Sequence, residues 1–85
     1  MPWTLIWTDE ATKDLEKLEK QEAKRVYNKV IYAHEAGLLL LEKVKNQAFF
    51  KYRVGKYRVF VEKNSSQQAL FVFAIQHRKN AYKNL

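Results

Sequence analysis

The spacing of apolar residues changes twice along the chain, and each change marks a new kind of element. Trp3, Leu5 and Trp7 alternate with Thr4 and Ile6, the two-residue period of a strand. From Thr8 the period lengthens. Thr8 or Asp9 suits a helix N-cap, and Asp9 and Glu10 place carboxylates where the helix dipole is positive. Ala11, Leu15 and Leu18 then recur at intervals of four and three, a narrow apolar stripe, while Lys13, Glu16, Lys17 and Lys20 fall outward. After a break near Lys20 and Gln21, a second stripe of Ala23, Val26, Tyr27, Val30 and Ala33 predicts a second helix, with Gly37 as its terminator. The two make a helical hairpin with one buried side. The run Leu38-Leu39-Leu40-Leu41 is expected to be a buried connection rather than a binding surface.

From Gln47 the period returns to two. Ala48, Phe50, Tyr52 and Val54 alternate with Phe49, Lys51 and Arg53; Tyr57, Val59 and Val61 alternate with Arg58, Phe60 and Glu62. Gly55-Lys56 between them suits a two-residue hairpin turn with glycine first. Residues 64–67 (Asn-Ser-Ser-Gln) form the next turn, and 69–75 are apolar on both faces, as in a strand inside a sheet. A short tail, read as a helical turn, runs from Arg78 to Leu85. The expectation is an α+β fold: an N-terminal strand, a helical hairpin and a three-stranded antiparallel meander, forming one sheet with helices on one face.

Composition narrows the chemistry. The 85 residues 1–85 make a single domain, and the absence of cysteine removes disulfides and thiolate metal sites. His34 and His77 stand far apart with no third ligand in view, so neither a metal site nor any other cofactor is expected. No apolar run approaches the ~18 residues of a membrane span, and the N-terminus lacks the pattern of a signal peptide, so the expected location is the cytoplasm. Charge is divided unevenly. Residues 1–42 carry 6 Lys/Arg and 8 Asp/Glu, a balance of −2, whereas residues 43–85 carry 10 Lys/Arg against Glu62 alone, a balance of +9. That asymmetry points to a polyanion met by the C-terminal half.

Strand phase then singles out residues. Pairing Val54 with Tyr57 sets Arg53 opposite Arg58 and Lys51 opposite Phe60. Phe50, Tyr52, Val54, Tyr57, Val59 and Val61 are assigned to the core face, and Lys51, Arg53 and Arg58 to the opposite, solvent-facing side. Like charges directly opposite in a sheet are destabilising, and a bound anion relieves them. A second group, from Gln76 to Lys83, follows the last strand and contains Arg78 and Tyr82, four residues apart. Neither a Ser/His/Asp arrangement, a phosphate-cradling glycine loop nor a carboxylate pair is evident. Several fixed cations with a phenol suit RNA cleavage without metal. The 2′-OH supplies the nucleophile, and Arg and Lys stabilise the crowded phosphorane.

Three segments resemble the RelE/ParE toxin superfamily: residues 8–18, from Thr8 to Leu18; residues 51–59, Lys-Tyr-Arg-Val-Gly-Lys-Tyr-Arg-Val; and residues 77–82, His-Arg-Lys-Asn-Ala-Tyr. The resemblance implies a toxin of a type II toxin–antitoxin system, a metal-independent endoribonuclease that cuts mRNA on the ribosome by 2′-OH attack on the adjacent phosphate. It also implies a cognate antitoxin protein as partner. The implied catalytic set is Lys51, Arg53, Arg58, Arg78 and Tyr82. Tyr82 orients or deprotonates the 2′-OH, with Lys51 the competing base; Arg58 holds the phosphate, and Arg78 assists the leaving 5′-oxygen. Lys13, Lys17 and Lys20 are candidates for gripping ribosomal RNA, with Lys56, Lys79 and Lys83 as further RNA-binding positions. Two other readings stay open: a ParE-like inhibitor of DNA gyrase, and a basic RNA-binding module without catalysis.

Overall fold

In the computed structural model, which describes residues 3–79, Thr8 closes the first strand and opens the first helix. The strand is β1 (Thr4–Trp7) and the helix α1 (Asp9–Lys17). Thr8 Oγ1 accepts the Ala11 N–H at 3.2 Å and donates to the Val72 carbonyl at 2.9 Å, and the Thr8 N–H donates to the same carbonyl at 3.0 Å. One residue therefore caps the helix and ties it to a strand 64 positions later.

Helix α2 (Lys20–Glu35) ends as its glycine predicts. Gly37 adopts φ +71°, the Leu38 N–H donates to the Ala33 carbonyl and the Gly37 N–H to that of His34, the paired bonds of a Schellman terminus. The chain then enters β2 (Glu42–Lys43), β3 (Phe50–Val54), β4 (Tyr57–Asn64) and β5 (Ala69–His77). The five strands form one sheet in the order β1-β5-β4-β3-β2. β1 runs parallel to β5, and the other neighbours are antiparallel. The expected α+β architecture is present, extended by the short strand β2 at the far edge.

Both helices lie on one face. Ala11, Val26 and Val30 pack on Val54, Val59, Val61, Leu70, Val72 and Ile75. Burying a valine or leucine of this kind contributes roughly 1.5–3 kcal/mol relative to leaving it in water. β1 accompanies β5 only as far as Val72. Beyond it, Asp14 of α1 accepts the Ile75 N–H at 2.9 Å, so a helix side chain takes over the role of the missing strand. Among the described residues no helix is long and apolar enough to cross a membrane.

Three expectations need correction. The leucine run is not uniformly buried: Leu39 and Leu41 pack on the core, while Leu38 and Leu40 are 56% and 77% exposed, on a segment bent tightly by the Leu40 N–H donating to the Leu38 carbonyl. Phe50, assigned to the core face, lies only half-buried, with Lys63 Nζ 4.3 Å from its ring centre. The second sheet face is not simply solvated. It carries its own apolar cluster, in which Val44 and Phe60 are buried against Phe49, Phe73 and Ala74. A bulge makes this possible: Phe60 pairs with Ala74 but Val61 with Val72, so Phe73 is an extra residue. The predicted helical turn at the C-terminus lies, beyond residue 79, outside the described residues.

Candidate functional site

The turn between β3 and β4 is two residues long, and Gly55 takes φ +56°. This is the left-handed region that a glycine-first hairpin turn requires. The register is the predicted one: Arg53 opposite Arg58, Lys51 opposite Phe60, Tyr52 opposite Val59. Tyr52 and Val59 belong to the helix-side core, so strand alternation sends Lys51, Arg53 and Arg58 to the other face. On that face Lys51 also has Glu42 of β2 as a cross-strand neighbour.

The sequence reading placed all three cations on a solvent-facing surface, and Arg58 departs from it. Arg53 is exposed, Lys51 half-buried, and Arg58 only 5% exposed. Its Nη1 donates to the carbonyls of Gly55 at 3.4 Å and Tyr57 at 3.3 Å, both long for a charged donor. Its Nε is buried and has no hydrogen-bond partner among the described residues. Across the strand from it, Gln76 buries an equally unpartnered Oε1. Among the described residues no carboxylate pairs with Arg58. This buried cation is held, among the described residues, by two stretched carbonyl contacts, which leave much of its desolvation cost uncompensated, and an anion arriving at the hairpin offsets it.

The same turn receives the end of β5. The Arg78 N–H donates to the Lys56 carbonyl at 2.6 Å, so Arg58 and Arg78 are both anchored on residues 55–57. Arg78 and Lys79 are exposed. Behind them His77 meets Tyr57 edge to face at 5.5 Å, and His77 Nδ1 accepts the Lys79 N–H at 3.1 Å. Accepting there makes Nε2 the protonated nitrogen of the neutral ring.

The structure thus brings Lys51, Arg53 and Arg58 onto one face, and Lys56, Arg78 and Lys79 around the adjoining turn. Lys13, Lys17 and Lys20 are exposed on the helical layer, which packs on the opposite sheet face from Lys51 and Arg53. Tyr82 and Lys83 lie outside the described residues. Among the described residues no cluster of His, Asp and Glu is placed to hold a metal ion. His34 serves the fold, its Nε2 donating to the Trp3 carbonyl at 2.6 Å. Gln76 and Arg25 were not among the predicted site residues. Gln76 is set opposite Arg58 by the separate β4–β5 pairing, which the hairpin turn does not fix. Arg25 is brought to the turn by helix packing, which leaves no trace in local spacing.

Comparison with known proteins gives a consistent picture. A family model described as the ParE toxin of type II toxin–antitoxin systems matches residues 5–82. No curated protein sequence matches. Among solved structures, the chain is similar to one in the RelBE2 toxin–antitoxin complex of Mycobacterium tuberculosis, at TM-score 0.77 and 21% identity, covering 92% of this chain and 100% of that one. It is also similar to one in the RelB–RelE complex of Methanococcus jannaschii, at TM-score 0.71 and 22% identity, covering 94% and 98%. A third match is to the intact Escherichia coli RelBE complex, at TM-score 0.68 and 17% identity, covering 88% and 95%. At these identities the likeness is one of fold.

Proposed function

Because this chain belongs to the ParE toxin family of type II toxin–antitoxin systems, we propose that it is the toxin that cuts mRNA in the cytoplasm, on the ribosome, under the control of a cognate antitoxin. The observation that carries the reading is Arg58: a buried guanidinium, directly opposite a second arginine, with its Nε unpartnered among the described residues. A sheet built only for stability gains nothing from that arrangement. A site for a phosphodiester does.

In the proposed reaction the 2′-OH of one nucleotide gives up its proton and attacks the adjacent phosphorus. The new P–O2′ bond closes a cyclic phosphate as the P–O5′ bond breaks, and the leaving 5′-oxygen takes a proton. Tyr82 or Lys51 receives the first proton. Arg58 and Arg53 hold the non-bridging oxygens as negative charge builds, and Arg78 assists the leaving oxygen. Preorganised donors of this sort each contribute on the order of 10²–10³ in rate. Lys56, Lys79 and Lys83 grip RNA near the turn through phosphate contacts, while Lys13, Lys17 and Lys20, on the helical layer, grip ribosomal RNA away from the site. The antitoxin partner is supported by the solved relatives, which are toxin–antitoxin complexes.

The test is inducible expression in cells with mapping of mRNA ends. Growth arrest with new cleavages inside translated codons, abolished in Arg58→Ala and weakened in Tyr82→Phe, supports the proposal. Arrest without cleavages, or full toxicity of both variants, rejects it. One observation favours a second reading, inhibition of DNA gyrase by binding: the matching family model is that of ParE. That reading expects blocked supercoiling by purified gyrase and intact mRNA.

A further inference from the structure

Glycine 55 is flanked by guanidinium groups from two elements. On one side Arg58 Nη1 reaches its carbonyl at 3.4 Å. On the other, a Cβ placed on Gly55 would lie 3.8 Å from Nη2 of Arg25, which comes from α2. Arg25 borders a groove of about 470 Å³ between α2, the hairpin turn and the end of β5, within the roughly 300–1,000 Å³ typical of small-ligand sites. Its cations are Arg25, Lys56, Arg78 and Lys79, and its aromatic wall is Tyr57 with His77. Glu22 is the one carboxylate among its described lining residues. The rings meet edge to face at 83°, a geometry that leaves ring surface uncovered by the pairing.

We propose that this groove is a nucleotide subsite: Arg25, Lys56 and Lys79 hold a phosphodiester flanking the one that Arg58 and Arg78 engage, and the Tyr57–His77 pair stacks its base. The inference rests on the RNA reading above and extends it around the turn. Three features support it together. The groove meets the Arg58 site at residues 55–57, whose carbonyls accept from both the Arg58 guanidinium and the Arg78 N–H. It combines clustered cations with aromatic faces, the pairing by which proteins hold single-stranded nucleic acid. It is also too polar and too positive to be a gap left by imperfect core packing. An acidic polypeptide would satisfy the cations but leave the ring faces without a planar partner.

The test measures binding separately from cutting. A fluorescent, non-cleavable single-stranded RNA hexamer, 2′-deoxy throughout its reactive positions, is titrated into the full chain and into Arg25→Gln, His77→Ala and Lys29→Gln, the last removing an exposed α2 lysine that does not line the groove. Thermal melts accompany each titration. Arg25→Gln is expected to weaken binding several-fold and to flatten the log Kd against log salt slope by about 0.7, one phosphate contact to a single strand. His77→Ala is expected to lose about 5- to 150-fold, the usual range for one base–aromatic stack, and to become indifferent to abasic substitution in the hexamer. Lys29→Gln should leave both affinity and slope at wild-type values. Wild-type binding in Arg25→Gln and His77→Ala, or losses of equal size in Lys29→Gln, overturns the proposal. So does a poly-glutamate peptide bound as tightly as the RNA and equally sensitive to Arg25→Gln. If the expected losses appear while cells show no mRNA cleavage, the groove stands and the nuclease reading falls. Cleavage in cells with unaffected hexamer binding has the opposite meaning.

Discussion

Replacing Arg58 by methionine should make the protein more stable and, at the same time, inactive. The structure permits an estimate. Arg58 is 5% exposed, its bonds to the Tyr57 and Gly55 carbonyls are 3.3 and 3.4 Å long, and its Nε has no partner among the described residues. Contacts beyond 3.2 Å return little of what water would offer a guanidinium. An unsatisfied buried donor costs about 1–3 kcal/mol, and exchanging a buried ion for an apolar side chain of similar volume is often neutral or stabilising by about 1–4 kcal/mol. Methionine suits the swap because it is unbranched and adapts to irregular space on the sheet face that also carries Phe60 and Ala74. A gain of ~1–2 kcal/mol is expected, which raises Tm by roughly 4–8 °C for each kcal/mol in a domain this size. Urea unfolding and thermal melts of purified wild type and Arg58→Met measure it. The cleavage map in cells should show at least a ~10²-fold loss for the same variant, the usual cost of removing one transition-state donor. Arg58→Ala is less informative, since its cavity confuses the sign. Destabilisation of Arg58→Met by more than ~1 kcal/mol would refute the reasoning. The guanidinium would then be a structural member, and its burial no argument for a site.

Other changes test the supports of the site. Asp14→Ala leaves the Ile75 N–H without its acceptor and should cost about 1–3 kcal/mol; Asp14→Asn should cost less, and hydrogen exchange at Ile75 should accelerate in the alanine variant alone. Gly55→Ala forces a side chain into φ +56°, and since the nearest atom would be an ordinary 3.8 Å away, the cost is backbone strain of about 1–2 kcal/mol, visible as a lower urea midpoint. Thr8→Ala removes both the helix cap and the bond to Val72 and should lose about 1–2 kcal/mol by the same measurement.

Much of this fold is local, and what is local could be read. The cap at Thr8, the glycine exits at Gly37 and Gly55, and the two changes of apolar period each follow from residues close together in the chain. What escaped was long-range. Parallel pairing of β1 with β5 joins residues 65 apart, Thr4 with Ala69. Strand β2 has only two residues, too few to show a period. The bulge at Phe73 removes the strict alternation that would have revealed two separate apolar clusters, so 69–75 read simply as apolar throughout. Four leucines in a row carry no period of their own, so the tight turn from Leu38 to Leu40 that exposes two of them leaves no mark in the sequence.

The candidate site divides along the same line. Arg53 opposite Arg58 was legible because a two-residue turn leaves one register, and alternation then assigns faces without freedom. The depth of Arg58 was not, since burial depends on what the rest of the chain lays over a face. Its neighbour across β5, Gln76, followed from a pairing that the hairpin alone does not set. Arg25 is the clearest case: nothing in the stripe of α2 distinguishes it from Lys24 or Lys29, and only the angle at which that helix crosses the sheet carries it to Gly55. A one-face cation cluster can be found from sequence when the residues share a hairpin. A groove assembled from a helix, a turn and a strand end can be found only after packing has chosen which exposed charges meet.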